Sequence, residues 1–191
     1  MDAYCNETEE IKIGIGGIKF SPELVQYTHH SRLPADELPV DFLRCLTEQR
    51  INLPFLCSCS VGDGVRSTFC VTASDAPRVE MLLTDGVAAG GRNWQSSEGV
   101  SLLDQLEIIH GVGTLTLFPH RRSLMLLGRV VEILGQSEIT IHSLCTSISA
   151  LAINIDYQLL DQAVGELRKI IELPNDHAPF RPEFCVRQIS P

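Results

Sequence analysis

Residues Leu124–Glu172, LMLLGRVVEILGQSEITIHSLCTSISALAINIDYQLLDQAVGELRKIIE, read as one complete helix–strand–strand–helix unit. Leu127, Val130, Val131 and Leu134 recur at the spacing of one helical face, with Arg129, Glu132 and Gln136 on the wet side, which predicts an amphipathic helix. Gly135–Glu138 breaks that pattern. Ile139, Ile141 and Leu144 then predict a strand, Ser147–Ala150 a tight connection, and Leu151–Ile155 a second, alternating strand. Asp156 is the expected N-cap of a closing helix with an inner face of Leu159, Leu160, Ala163, Val164, Leu167, Ile170 and Ile171, ended before Pro174. With Val112–Phe118 as a strand in front, the order is βαββα. One further strand completes a ferredoxin-like split-βαβ sandwich.

Outward from that unit, the chain repeats itself. INLPFLC at residues 51–57 matches ITIHSLC at 139–145, and Leu46 matches Leu134, all at a constant offset of 88 residues. The earlier copy also follows an amphipathic helix, opened by Asp36 and Pro39, lined by Val40, Leu43 and Leu46 and closed near Arg50. After it come the turn VGDGVR with Asp63-Gly64 as its hairpin signal, a strand at Ser67–Thr72, and a short helix begun by Asp75-Ala76-Pro77 and carrying Val79, Met81, Leu82 and Leu83. TDGVAAGGRNWQSSEGV, with the only Trp, reads as a surface loop, Leu102–His110 as the last strand of the first copy, and Gly111–Gly113 as a hinge. A period of this length is a duplicated domain, since solenoid repeats are far shorter. The expected fold is therefore α+β: two tandem ferredoxin-like (βαββαβ) sandwiches with antiparallel sheets, at 10–110 and 111–191. The second ends in an extension holding Pro174, Pro179, Pro182 and Pro191, in which Phe184–Ile189 has the composition of an edge strand.

At the N-terminal side, Glu10–Phe20 reads as a strand interrupted by a bulge at Gly16-Gly17, because its GIGG has neither the spacing nor the lysine of a phosphate loop. Ser21–Ala35 reads as a long connection whose Tyr27, His29, His30 and Arg32 are chemically capable.

Composition narrows the function classes. Of 191 residues, 44% are hydrophobic and 20% charged, which fits a globular protein, and a net charge of −9 disfavours nucleic-acid and anionic-membrane surfaces. The expected partners thus include no nucleic acid and no membrane. No apolar run is long enough to span a bilayer, and the acidic start MDAYCNETEEIK is unlike a secretory signal, so the expected location is cytoplasmic. Seven cysteines, scattered and odd in number, do not make a disulfide framework. Cys57 and Cys59 share a strand face; a metal would need more ligands, with His29 and His30 the available ones, whereas free cysteine is mostly a small buried hydrophobe. No hydrolase, kinase, zinc, P-loop or Rossmann signature is present, so the expectation is a non-enzyme without cofactor or metal.

The run VGTLTLF, a loop and a helix, then SEITIHSLCTSISALAINID and LDQAVGELRKII, resembles an ACT domain, most closely the second ACT module in the regulatory part of aspartate kinases. The resemblance covers about the last 70 residues and keeps Ala163 and Val164 of the closing helix. The family's Asn-x-Asp type pair on the middle strand is here Thr140 and His142.

ACT pairs bind small effectors, typically amino acids, between modules, using the loop after the first strand and the middle strand. The resemblance therefore implies Pro119, His120, Arg121, Arg122 and Ser123, with Thr140, Ile141 and His142, as ligand-binding positions of the second module. In the first it implies Ile18, Lys19, Phe20 and Ser21, with Asn52. Arg121 suits the carboxylate of a zwitterion; the acidic position that would hold its ammonium is His142 in one copy and Pro54 in the other. Two functions stay open: a regulatory or sensor protein that binds an amino-acid effector and acts on an enzyme in trans, or a protein–protein interaction module with no small-molecule ligand. An enzyme built on His29, His30 and Cys57 is a more distant third. Exposed sheet edges and the habit of ACT sheets to join side by side imply a homodimer or a pairing of the two copies.

Overall fold

The computed structural model describes residues 12–31, 40–85, 106–119 and 124–175. In chain order these form β1 (Ile13–Gly14), β2 (Gly17–Phe20), β3 (Leu24–Ser31), α1 (Val40–Glu48), β4 (Phe55–Val61), β5 (Gly64–Thr72), α2 (Ala76–Asp85), β6 (Leu106–Phe118), α3 (Leu124–Gln136), β7 (Ser143–Thr146), β8 (Leu151–Asp156), a 3₁₀ turn (Tyr157–Leu159), α4 (Leu160–Leu167) and β9 (Ile171–Glu172). The fold is α+β with antiparallel pairing throughout the main strands, as the duplication predicts.

The chain divides into two compact units, and the division is not sequential. One unit is Ser21–Thr114 with Asp156–Gln158; the other takes residues up to Phe20, Leu115–Ile155 and the residues from Leu159 onward. The sequence reading assigned residues 10–20 to the first copy and split the chain at 110/111. In the structure the N-terminal strands group with the second half, and the first sandwich is an insertion between β2 and the end of β6.

In the inserted unit the strand order is β4-β5-β3-β6. Its opening strand is β3, which falls inside the segment read as a long loop. Val25 and Tyr27 point from β3 into a core with Phe42, Cys45 and Leu46 of α1, Phe69 and Val71 of β5, and Val79 and Leu83 of α2. Tyr27 stacks on Phe69 at 5.1 Å between centroids, and Phe42 meets the same ring at 5.7 Å, tilted. The inner stripe of α1 is thus Phe42, Cys45 and Leu46, while Leu43 is only half-buried. Asp36 and Pro39, which were to open this helix, lie outside the described residues, as does the loop around Trp94. The hairpin between β4 and β5 turns on Gly62-Asp63, one residue before the expected signal: Val61 faces Gly64, and Gly62 alone takes positive φ, at 60°, the type II′ pattern.

In the other unit β6 stands between β2 and β8, with β7 beyond β8 at the edge. Residues of β2 pair with those of β6 from Gly17–Phe118 to Phe20–Leu115. The strand that completes this sandwich is therefore β2 from the N-terminal side; Phe184–Ile189 lies outside the described residues. Leu126, Val130, Ile133 and Leu134 are the buried face of α3, whereas Val131, expected inside, is 43% exposed. Leu160, Ala163, Val164 and Leu167 form the buried face of α4.

Three further local expectations change. Gly111–Gly113 is no hinge: β6 runs unbroken for 13 residues, and Gly111, at φ +67°, sits where the β3 register slips by a bulge. Asp156 ends β8 directly ahead of the 3₁₀ turn Tyr157–Leu159, and α4 itself starts after Leu159 without a side-chain cap. The helix also stops at Leu167, because Ile171–Glu172 pairs in parallel with Ile13–Gly14. Two consecutive buried isoleucines, Ile170 and Ile171, satisfy helix and strand patterns alike, and the tertiary pairing decides between them.

Candidate functional site

The two heptapeptides occupy equivalent places. Residues 51–54 and 139–142 are irregular, and β4 and β7 begin at Phe55 and Ser143. Both strands end their sheets' strand order, so the expected middle strands are edge strands. The irregular stretch follows from the helix end before it. Ile51 N–H donates to Leu46 C=O at 2.8 Å and Arg50 N–H to Thr47 C=O at 3.0 Å; Ile139 N–H donates to Leu134 C=O at 2.9 Å and Glu138 N–H to Gly135 C=O at 3.1 Å. Each is a Schellman closure, with a buried isoleucine folded back on a buried leucine.

The positions implied for ligand binding are dispersed by this geometry. Thr140 is exposed, and Ile141 and His142 are half-buried ahead of β7, where His142 N–H donates to Asn154 C=O at 2.8 Å. Ile18 and Phe20 are 0% and 4% exposed, core residues paired with Leu117 and Leu115, and do not line a surface. Lys19 faces the opposite way, its Nζ 4.8 Å from the centre of the Phe118 ring. Since β2 and β7 are three inter-strand steps apart, Lys19 and the 140–142 segment are separated by about 14 Å. Ser21 is structural: its Oγ donates to Pro22 C=O at 2.7 Å and accepts from Thr114 N–H at 2.8 Å. Asn52 is exposed in the inserted unit, whereas Ile18–Phe20, assigned to the same module by the sequence, belong to the other.

Pro119 does lie beside this N-terminal strand. A methyl on Gly16 would come within 2.3 Å of Pro119 Cδ, so the glycine is what admits the proline. His120, Arg121, Arg122 and Ser123 lie outside the described residues.

The cysteine–histidine set separates by strand pleat. Cys59, Arg66 and His30 lie in one cross-strand row and Cys57, Thr68 and Thr28 in another on the same face; His29 pairs with Ser67, opposite Ser58, on the other face. His29 therefore cannot join both thiols on one ion. Among the described residues no group of three His, Cys, Asp or Glu is placed to hold a metal.

Two features carry no signal in the sequence motifs. Asn154, on β8, is 0% exposed, and its carboxamide donates to Ser143 Oγ at 2.8 Å, tying the edge strand to its neighbour. Alternation in LAINID does put Asn154 on the face away from Ile153 and Ile155, but not its complete burial. The second is an open cleft of about 320 Å³ lined by Lys12, Arg168, Ile171, Glu172 and Leu173. In the sequence its residues belong to a strand, a helix and a tail, and nothing in the linear order joins them.

Neither a family model nor a curated protein matches the sequence. Solved structures do match. The regulatory subunit of aspartate kinase from Thermus thermophilus, in its ligand-free form, superposes with a TM-score of 0.62 at 12% identity, covering 83% of this chain and 99% of that one. The regulatory subunit from Thermus flavus gives a TM-score of 0.63 at 13% identity, with coverage of 83% and 99%. Escherichia coli aspartokinase III in complex with lysine and aspartate gives 0.52 at 14% identity, covering 88% of this chain and 35% of that one. The chain has the fold of the ACT-containing regulatory region of aspartate kinases.

Proposed function

We propose that this protein is a non-catalytic regulatory or sensor protein that binds a small effector, an amino acid, and passes the binding event to an enzyme in trans. What supports the reading most is the end-to-end likeness to a free regulatory subunit: almost the whole of the Thermus thermophilus chain is matched, both sandwiches included. The amino-acid class comes from the aspartokinase III neighbour, which is in complex with lysine and aspartate. The reading places the protein in the cytoplasm as a homodimer joined along open sheet edges; β4, exposed from Ser58 to Val61, is one such edge. Among the described residues no helix is long and apolar enough to cross a membrane.

The test is a thermal-shift screen of the intact chain against the protein amino acids. A ligand that binds only the native state raises the melting temperature by mass action, so at least one amino acid is expected to shift it. Silence at millimolar concentration of every member sinks the effector reading.

A second reading, an interaction module without a small ligand, is favoured by the outer face of α3. Leu124 and Met125 are 82% and 63% exposed, beside Val131 and two exposed glycines, Gly128 and Gly135, whose missing side chains nothing in the chain requires. A smooth apolar helix face of this kind suits close approach by another protein. Silence in the screen together with loss of self-association in Leu124→Glu is the outcome that selects it.

A further inference from the structure

We propose that the cleft beside β1 and β9 is the effector site and takes a free amino acid as its zwitterion. The proposal rests on the effector reading above and gives it a location at residues other than those implied by family resemblance. Parallel pairing brings the start of β1 alongside the end of α4: Ile13 N–H donates to Ile170 C=O at 2.9 Å, and Ile15 N–H to Glu172 C=O at 3.0 Å. Ile171 is buried at 2% exposure and anchors the pair, so its neighbour Glu172 faces outward, together with exposed Lys12 and Arg168. The walls are thus two cations, one carboxylate and the apolar surface of Ile171 and Leu173.

Two features make this more than a solvated edge. The first is unspent charge: within the described residues Lys12, Arg168 and Glu172 form no ion pair with each other or with a neighbour, in a chain of net charge −9. Both signs stand at one cleft without neutralising each other, which complements a ligand carrying both. An α-carboxylate suits the guanidinium fork of Arg168, with Lys12 adding charge, while the α-ammonium suits Glu172. A simple anion would meet the Glu172 carboxylate and a simple cation the two bases. The second is the duplication. At the offset of 88 residues Ile171–Glu172 corresponds to residues 83–84, which lie within helix α2, so the inserted sandwich is built without a counterpart of the β1–β9 pair among the described residues. The volume of about 320 Å³ is at the small end of the roughly 300–1,000 Å³ typical of ligand pockets, enough for one amino acid.

The experiment is calorimetric titration of the intact protein with each of the twenty L-amino acids, then of the binding member against Arg168→Gln, Glu172→Gln and, as a control at the family-implied position, Thr140→Ala. Melting temperatures of the variants verify folding, which these exposed positions should leave unchanged. The expected result is a loss of about tenfold or more in affinity for each cleft variant and none for Thr140→Ala. N-acetylation of the ligand is expected to weaken binding to the parent protein but to add nothing in Glu172→Gln, since both changes remove one contact. Binding kept within twofold in both cleft variants overturns the location and leaves the effector reading standing. No binding by any amino acid overturns both.

Discussion

Arg50 and Glu138, 88 residues apart, are the only non-glycine residues among those described with positive φ, at 55° and 57°. Each is the C′ residue of a helix that closes by the same pair of hydrogen bonds. A left-handed backbone crowds Cβ against the carbonyl and is strained for arginine and glutamate, and glycine relieves it at some cost in unfolded-state entropy. Arg50→Gly and Glu138→Gly are each expected to stabilise the protein by about 0.5–1 kcal/mol, whereas alanine at either position gains nothing. Urea unfolding of the four variants checks this, and a destabilising glycine would mean that the side chain matters more than the closure.

Gly16 and Gly14 make a matched pair of opposite outcome. A Cβ on Gly16 meets Pro119 Cδ at 2.3 Å and Phe118 C=O at 3.0 Å, whereas one on Gly14 meets nothing within 4 Å. Gly16→Ala is expected to destabilise by about 1–3 kcal/mol through overpacking. Gly14→Ala should stay within about 0.5 kcal/mol of the parent. Equal melting temperatures for the two variants would show that the β2–β6 junction can yield.

Legibility in the sequence follows the range of the interactions. The helix–strand–strand–helix core of 124–167 was readable because each element carries its own period, and the duplication because Leu46, Ile51 and their partners at 134 and 139 perform one local task, closing a helix. The swap of β2 into the second sandwich was not readable, since edge pairing with Leu115–Phe118 leaves no mark on GIKF. Strand β3 was hidden by its own composition: Gln26, Thr28 and His29 are all buried, so LVQYTHHS looks like a polar loop. For the site, the letters offered Thr140–His142 and Ile18–Ser21 by resemblance, and the strand order puts them apart. The cleft draws on residues more than 150 positions apart, Lys12 and Arg168, and only parallel pairing reveals it.

Asn154, which is buried, and Ser143, which is half-buried, form a polar link between β7 and β8, 2.8 Å long. Ser143→Ala leaves one N–H of the buried carboxamide without that acceptor and is expected to cost about 1–2 kcal/mol. Asn154→Ala removes the amide itself, and the double variant is expected to be less destabilised than the sum, by about 0.5–2 kcal/mol. Strict additivity would mean that water replaces the serine.

Tyr27 sets the alkaline limit. Its ring is fully buried and its hydroxyl donates to Glu80 Oε1 at 3.1 Å. Burial, reinforced by the charge of Glu80 and by the hydrogen bond, raises the phenol well above its usual value near 10. The unfolded chain ionises first as pH rises, so the stability this group contributes is complete below about pH 10 and is lost progressively above it. Tyr27→Phe removes that dependence. It is expected to be less stable than the parent at neutral pH by about 1 kcal/mol, for the lost hydrogen bond, and to close the gap above pH 10. Denaturant midpoints measured from neutral to alkaline pH give the answer: parallel curves would place Tyr27 in contact with water in the native state.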